Sequence, residues 1–467
     1  MPETPSSVSV STKLRRVAEL ARKQPGVALT TLAHHIDVEF LRAAFHATRK
    51  SGAPGIDDQT AAEYAKDLEG NLQSLLDRFK SGRYQAPPVR RVLIPKAGGK
   101  GTRPIGIPTF EDKVLQRAVA MVLEAVYEQD FRDCSYGFRP GRSAHQALEA
   151  LWRAATAVGG GWVLDVDVRG FFDSLDHRHL REFLSRRVRD GVIRRAVDKW
   201  LKAGVLTEGR LERPEEGTPQ GGVVSPMLAN IYLHHVLDEW FENEVKPRMR
   251  ARAILVRYAD DFVIVFARKQ DAERVLRVLP KRFGRFGLAL HEGKTRLVGF
   301  ERPDRRRERR PRTSGPGERD RMRHSPGVGS ETFDFLGFTH HWAKSWKGGG
   351  RWVVRRRTAR DRLSRSLREI NRWIRGHRHL PLAVQQAALS RKLCGHYAYY
   401  GITGNVERLG DYHRAVVRLW RKWLARRSQR GRVLLRWERF QRLLARYPLP
   451  PPVVRHSVYR HAVSPLP

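Results

Sequence analysis

The chain has 467 residues, with 89 Lys and Arg against 49 Asp and Glu, and a formal charge of +40 near neutral pH. That length exceeds what one hydrophobic core usually serves, so two or three domains are expected. The charge runs along most of the chain and reads as the footprint of a polyanion, RNA or DNA, because solubility alone needs only a modest net charge. Cys134 and Cys394 are the only cysteines, which excludes a disulfide framework and a thiolate zinc site and fits a reducing compartment. No apolar run approaches the roughly 20 residues that span a bilayer, and the polar start lacks a signal-peptide core, so a cytoplasmic protein off the membrane is expected.

In chain order, residues 1–37 open with a Ser-, Pro- and charge-rich stretch and are expected to be flexible. Val38 to Leu75 has helical periodicity, interrupted by Gly52-Ala53-Pro54-Gly55. Arg90 to Pro95 reads as a strand, Gly98 to Gly101 as a turn and Thr102 to Ile107 as the returning strand of a hairpin with basic ends. A buried-face helix is expected over Asp112 to Glu128, where Leu115, Val119, Val122 and Val126 recur at threes and fours. Two β-branched apolar runs then end in acids: Trp162 to Asp167, and Ile254 to Tyr258 with Phe262 to Phe266 beyond it. Glu301 to Ser330 has many arginines and too few apolar residues to fold alone, so a flexible basic loop is expected there. Beyond Trp346 the pattern is helical, with Leu363, Leu367, Ile370 and Ile374 on one face, and Tyr412, Val416, Leu419 and Trp423 on a second helix from about Asp411 to Arg427. Spacing of three and four is what core packing demands, which leaves the intervening arginines free for phosphate.

The chemistry concentrates in two places. Tyr258-Ala259-Asp260-Asp261 sits between apolar strands, and adjacent carboxylates at a turn with buried flanks repel unless a cation binds. Trp162-Val163-Leu164-Asp165-Val166-Asp167 is a second acidic strand; strand alternation puts Asp165 and Asp167 on one face, so spacing does not choose between them. Acids from two strands at one edge suit Mg²⁺, a hard ion that takes oxygen ligands and keeps positions open for phosphates. Two such ions about 3.5–4 Å apart can activate a 3′-hydroxyl and stabilise leaving pyrophosphate.

Here the sequence meets a family. LDVDVRGFFDSLDH, TPQGGVVSPMLANIYLHHVLD and RYADDFVIVF resemble, in order, the palm motifs of group II intron-encoded reverse transcriptases, and IPKAGGKGTRPIGIPTFEDKVLQ resembles their fingers motif. The resemblance implies an α+β right-hand polymerase. Its parts would be an N-terminal extension over 38–85, fingers and palm over 86–345, an α-helical thumb or maturase region over 346–430, and a C-terminal tail over 431–467. It makes Asp167, Asp260 and Asp261 the metal-binding catalytic triad with two Mg²⁺ ions. Lys96, Arg103, Phe172, Gln220 and Lys294 become the dNTP contacts, with Phe172 excluding a 2′-hydroxyl. Phe333-Asp334-Phe335-Leu336-Gly337-Phe338 resembles the primer-grip hairpin and Gly395 to Gly401 the thumb. The implied partners are an intron RNA template, a DNA primer or target and dNTPs, and the implied activity is RNA-directed DNA synthesis with help in intron splicing and mobility. The absence of a Cys- or His-paired module after the thumb implies no HNH-type nuclease. Two rivals follow from the same residues: a group II-like reverse transcriptase domesticated for phage defence, DNA repair or spacer acquisition, and a catalytically silent RNA-binding splicing factor.

Overall fold

The computed structural model describes residues 5–95, 101–207, 210–212, 221–303, 330–345, 349–428 and 435–457. The chain forms two compact units, one of Met1–Ala147 with Leu164–Leu297, the other of Leu148–Val163 with Val298–Pro467. Most of the basic stretch between Glu301 and Ser330 lies outside the described residues. Among the described residues, no helix is long and apolar enough to cross a membrane.

The first unit opens on a helix, Pro5–Lys23, where the sequence reading expects a frayed terminus. Its polar composition hides a narrow apolar stripe, Val10, Val17 and Ala21, all buried. Its C-terminal end is held by the Arg187 guanidinium, which donates to the carbonyls of Ala21 (2.8 Å), Gln24 (2.8 Å) and Val27. The helix Phe110–Tyr127 starts two residues ahead of the expected Asp112, because the Thr109 hydroxyl accepts from the Asp112 N–H at 3.3 Å and caps it.

The strands of this region are β1 (Val89–Pro95), β2 (Thr102–Ile107), β3 (Trp162–Val166), β4 (Val168–Arg169), β5 (Val205–Thr207), β6 (Arg210–Glu212), β7 (Ala253–Tyr258), β8 (Asp261–Phe266), β9 (Ala289–Leu290) and β10 (Arg296–Gly299). One sheet runs β2-β1-β5-β6 and carries the expected basic hairpin, with Ile94 opposite Arg103. A second runs β10-β3-β8-β7, so the two acidic strands of the sequence reading become neighbours. The small pair β4-β9 lies beside the end of β3 in sequence and leads to the turn that carries Lys294.

The second unit has an antiparallel sheet, β11 (Phe333–Phe335), β12 (Phe338–Lys344) and β13 (Trp352–Thr358). Leu336 and Gly337 both have positive φ, the pattern of a tight primed hairpin turn, and Phe335 pairs with Phe338 across it. Helices Arg360–His377, Leu382–Tyr400, Val406–Leu424 and Trp437–Arg446 share one core that includes Ile370, Ile374, Leu393, Tyr412, Val416, Trp420 and Phe440. Leu419 and Trp423, expected inward, are partly buried; Trp420 and Leu409 take the centre. Residues beyond 431, expected as a tail, supply the last of these helices, with Phe440 buried. Their continuation is tied down as well, since Tyr397 donates to the Pro450 carbonyl at 3.3 Å.

Candidate active site

The turn joining β7 to β8 is closed by Tyr258 opposite Asp261, with Ala259 and Asp260 as its two central residues. Ala259 has φ +57°, a conformation glycine would take without strain, so the surrounding structure must hold it. The holding group is Arg257, whose side chain is 0% exposed. Its guanidinium donates to both carboxylate oxygens of the equally buried Asp238 (2.8 and 2.5 Å), to Asn230 Oδ1 (3.0 Å) and to the Ala259 carbonyl (3.0 Å). Asn230 in turn donates to the Gly137 carbonyl at 2.7 Å, and Gly137 lies so close under the turn that a Cβ there would sit 2.3 Å from the Ala259 nitrogen. Eight residues along a regular α-helix rotate by about 80° beyond whole turns. The π-helical segment His234–Asp238 widens the winding between Asn230 and Asp238, and both meet the same arginine.

On this frame the acids converge. Burial pushes the Asp260 carboxyl above its ordinary range; its own backbone N–H and the Arg103 guanidinium pull it back, while the charge of Asp167 pushes it further up. Asp260 therefore feels a carboxylate from the neighbouring strand and a cation from the β1–β2 hairpin. Asp261 is exposed at the start of β8. The His291 N–H donates to the Asp167 carbonyl at 2.8 Å, and the turn that follows brings Lys294 Nζ to 2.6 Å from Asp167 Oδ2. Asp165 is turned to a different partner, Arg296, whose Nε lies 3.2 Å from its Oδ2. A buried carboxyl whose pKa a neighbouring carboxylate helps to raise, in a group that offers hard oxygen donors, fits a divalent cation.

Of the expected nucleotide contacts, Arg103 reaches the electrostatic field of Asp260 and Lys294 pairs with Asp167. Phe172 is half-buried beside Phe171, ring centroids 5.3 Å apart, in the turn after β4. Lys96 and Gln220 lie outside the described residues. The glycine after Gln220 is described: Gly221 has φ +118°, and a Cβ on it would meet the Gly106 carbonyl of β2 at 2.4 Å. The loop leaving it is anchored by Gln116, which accepts from the Val224 N–H at 3.2 Å and donates to buried Asp112 at 2.9 Å.

Arg257, Asp238 and Asn230 were not singled out by the sequence reading. A legible signal existed, since a lone arginine inside an apolar strand needs a buried acceptor. Among the described residues a separate cluster, His234, His235 and Glu239, also gathers ligand-type atoms. The hydrogen bond between His235 Nδ1 and Glu239 Oε2 (2.7 Å) holds the Glu239 carboxyl down at about 2, while His234 Nδ1 and His235 Nε2 are buried without a hydrogen-bond partner.

A family profile described as reverse transcriptase (RNA-dependent DNA polymerase) matches residues 94–340, just over half of the chain. The chain is 37% identical over 288 residues to protein YkfC of Escherichia coli (strain K12), which covers 55% of this chain and 75% of that protein. It is 39% identical over 191 residues to the group II intron-encoded protein LtrA of Lactococcus lactis subsp. cremoris, covering 41% of this chain but only 31% of that one. Over 181 residues it is 30% identical to nuclear intron maturase 2, mitochondrial, of Arabidopsis thaliana, covering 30% and 24% of the two chains. With the matched profile running from the end of β1 through β2, both acidic strands and the Lys294 turn, the chain belongs to the reverse transcriptase (RNA-dependent DNA polymerase) family.

Proposed function

We propose that this chain is an RNA-directed DNA polymerase of the group II intron type, adding dNTPs to a DNA primer on an RNA template and assisting the folding and splicing of its intron RNA. The observation that supports it most is the electrostatic meeting of Asp167, just past the end of β3, and Asp260, in the β7–β8 turn, beside Arg103 and Lys294. In this reading Asp167, Asp260 and Asp261 bind divalent ions, taken as two Mg²⁺. Bound there, the ions would activate the primer 3′-hydroxyl and offset charge on the α-phosphate and leaving pyrophosphate. Arg103, with Lys96, faces the triphosphate and offsets its charge. Lys294 exchanges its ion pair with Asp167 for a triphosphate oxygen as the nucleotide enters. Phe172 packs under the sugar and excludes a 2′-hydroxyl, and Gln220 contacts the nucleotide. Helices rich in arginine, such as Arg360–His377, hold structured RNA through phosphates and shape.

The test uses Asp260→Asn and Asp167→Asn. Each should lower primer extension by at least about a thousandfold, since losing the metal's charge stabilisation removes several kcal/mol of catalysis. The Asp260→Asn, Asp261→Asn double variant should still promote splicing of the intron that encodes the chain, because RNA binding energy is spread over the basic surface. Near-parental extension by the folded single variants would sink the assignment. A double variant that binds intron RNA normally yet no longer promotes splicing would place both activities in one cleft.

A further inference from the structure

Phe138 is a large apolar side chain in an unusual state: it is 54% exposed and its φ is +55°. Left-handed backbone at a non-glycine residue costs on the order of 1–3 kcal/mol and persists only where neighbours impose it. The neighbours here do so. Tyr136 N–H donates to the Arg257 carbonyl at 2.9 Å, Gly137 is wedged under Ala259, and the buried Arg139 guanidinium is bound to Glu128 and to the carbonyls of Arg132 and Ser135. The bracing thus fixes an aromatic ring in solvent, with its centroid 6.3 Å from the ring of Tyr258. Tyr258 directly precedes the turn that carries Asp260 and Asp261. The ring therefore stands one aromatic spacing from the residue that closes the turn bearing Asp260.

We propose that Phe138 is a stacking platform for a nucleobase at the growing end of the primer–template duplex, fixed by the same buried Arg257 network that holds the catalytic turn. A base suits the site because every base offers a π-face and sequence need not be read, and because the chain as a whole carries a formal charge of +40. This inference rests on the polymerase reading above.

The experiment measures binding of a fluorescent primer–template to the full chain in Ca²⁺, and steady-state extension in Mg²⁺, for the parent, Phe138→Gly and Phe138→Tyr. Glycine removes the ring and suits positive φ, so thermal stability should hold or rise, a result that a purely structural ring would not give. Duplex affinity and the KM for primer–template should worsen roughly 5- to 150-fold, the range a lost stacking contact implies, with the KM for dNTP little changed. Tyrosine should rescue both. An abasic nucleotide at the primer end, or opposite it in the template, should weaken the parent but not the glycine variant; whichever strand shows this non-additivity is the one that stacks. Parental affinity in Phe138→Gly, with both abasic penalties intact, overturns the platform. A parent that neither binds nor extends the duplex overturns the polymerase reading instead.

Discussion

The buried pair Arg257–Asp238 allows stability and catalysis to be separated. Both side chains are 0% exposed, and Arg257 spends its hydrogen bonds on Asp238, Asn230 and the Ala259 carbonyl. Asp238→Asn keeps the volume but leaves a guanidinium uncompensated in the core, a loss of about 3–5 kcal/mol. Against a domain stability of about 5–15 kcal/mol that is severe. Arg257→Met with Asp238→Leu removes both charges together, and apolar replacement of a buried pair is often neutral or stabilising by about 1–4 kcal/mol. The double variant should therefore regain the lost stability. Its Ala259 carbonyl and Asn230 Oδ1 still lose their donor, so the strained turn relaxes and the acids shift; a displacement near 1 Å costs about a hundredfold in kcat. Hydrogen exchange at the amides of β7 and β8 reports the opening of this sheet by itself, and steady-state primer extension reports the chemistry. Restored protection together with parental kcat in the double variant would refute the positioning role. Parental protection in Asp238→Asn would refute the energetic argument.

Two further outcomes follow from the site. Replacing Phe172 by Ala should raise the ratio of rNTP to dNTP kcat/KM, because the ring fills space a 2′-hydroxyl would need; an unchanged ratio places the sugar gate on another residue. Asp260 titrates above the ordinary carboxylate range when folded, chiefly through burial. A raised carboxyl contributes stability present below its unfolded pKa and lost as pH rises through the folded value, so at neutral pH the ionised group opposes folding. Asp260→Asn should then raise the melting temperature of the metal-free protein near pH 7. Added Mg²⁺ should stabilise the parent there, and less as pH falls through the raised value; pH-independent stabilisation would mean the ion binds elsewhere.

Local signals carried the strands, the two acidic motifs and the apolar helix faces, because period-2 and period-3.6 patterning are properties of short windows. Ile370 and Ile374 face a core as their spacing implies, and the basic hairpin forms with Arg103 on its returning strand. The N-terminal helix escaped the reading because, among its described residues, three buried apolar side chains carry it, and its end is held by Arg187 from far along the chain. The helix beyond 431 escaped for a similar reason, since Phe440 gains its burial only from helices elsewhere in the same unit.

Read alone, the chain already displays acids in strand-and-turn motifs, cations on a hairpin, and a charge suited to nucleic acid. It left Asp165 and Asp167 equivalent, since alternation along a strand puts both on one face. Tertiary structure separates them, because Arg296 takes Asp165 whereas Asp167 faces Lys294 and raises Asp260. It also decides how the acidic turn is braced. Asn230 and Asp238 lie eight residues apart, but Arg257 and Gly137 come from other stretches of the chain, and the energy of a buried charge depends on which groups surround it in space, a quantity that local patterning does not contain.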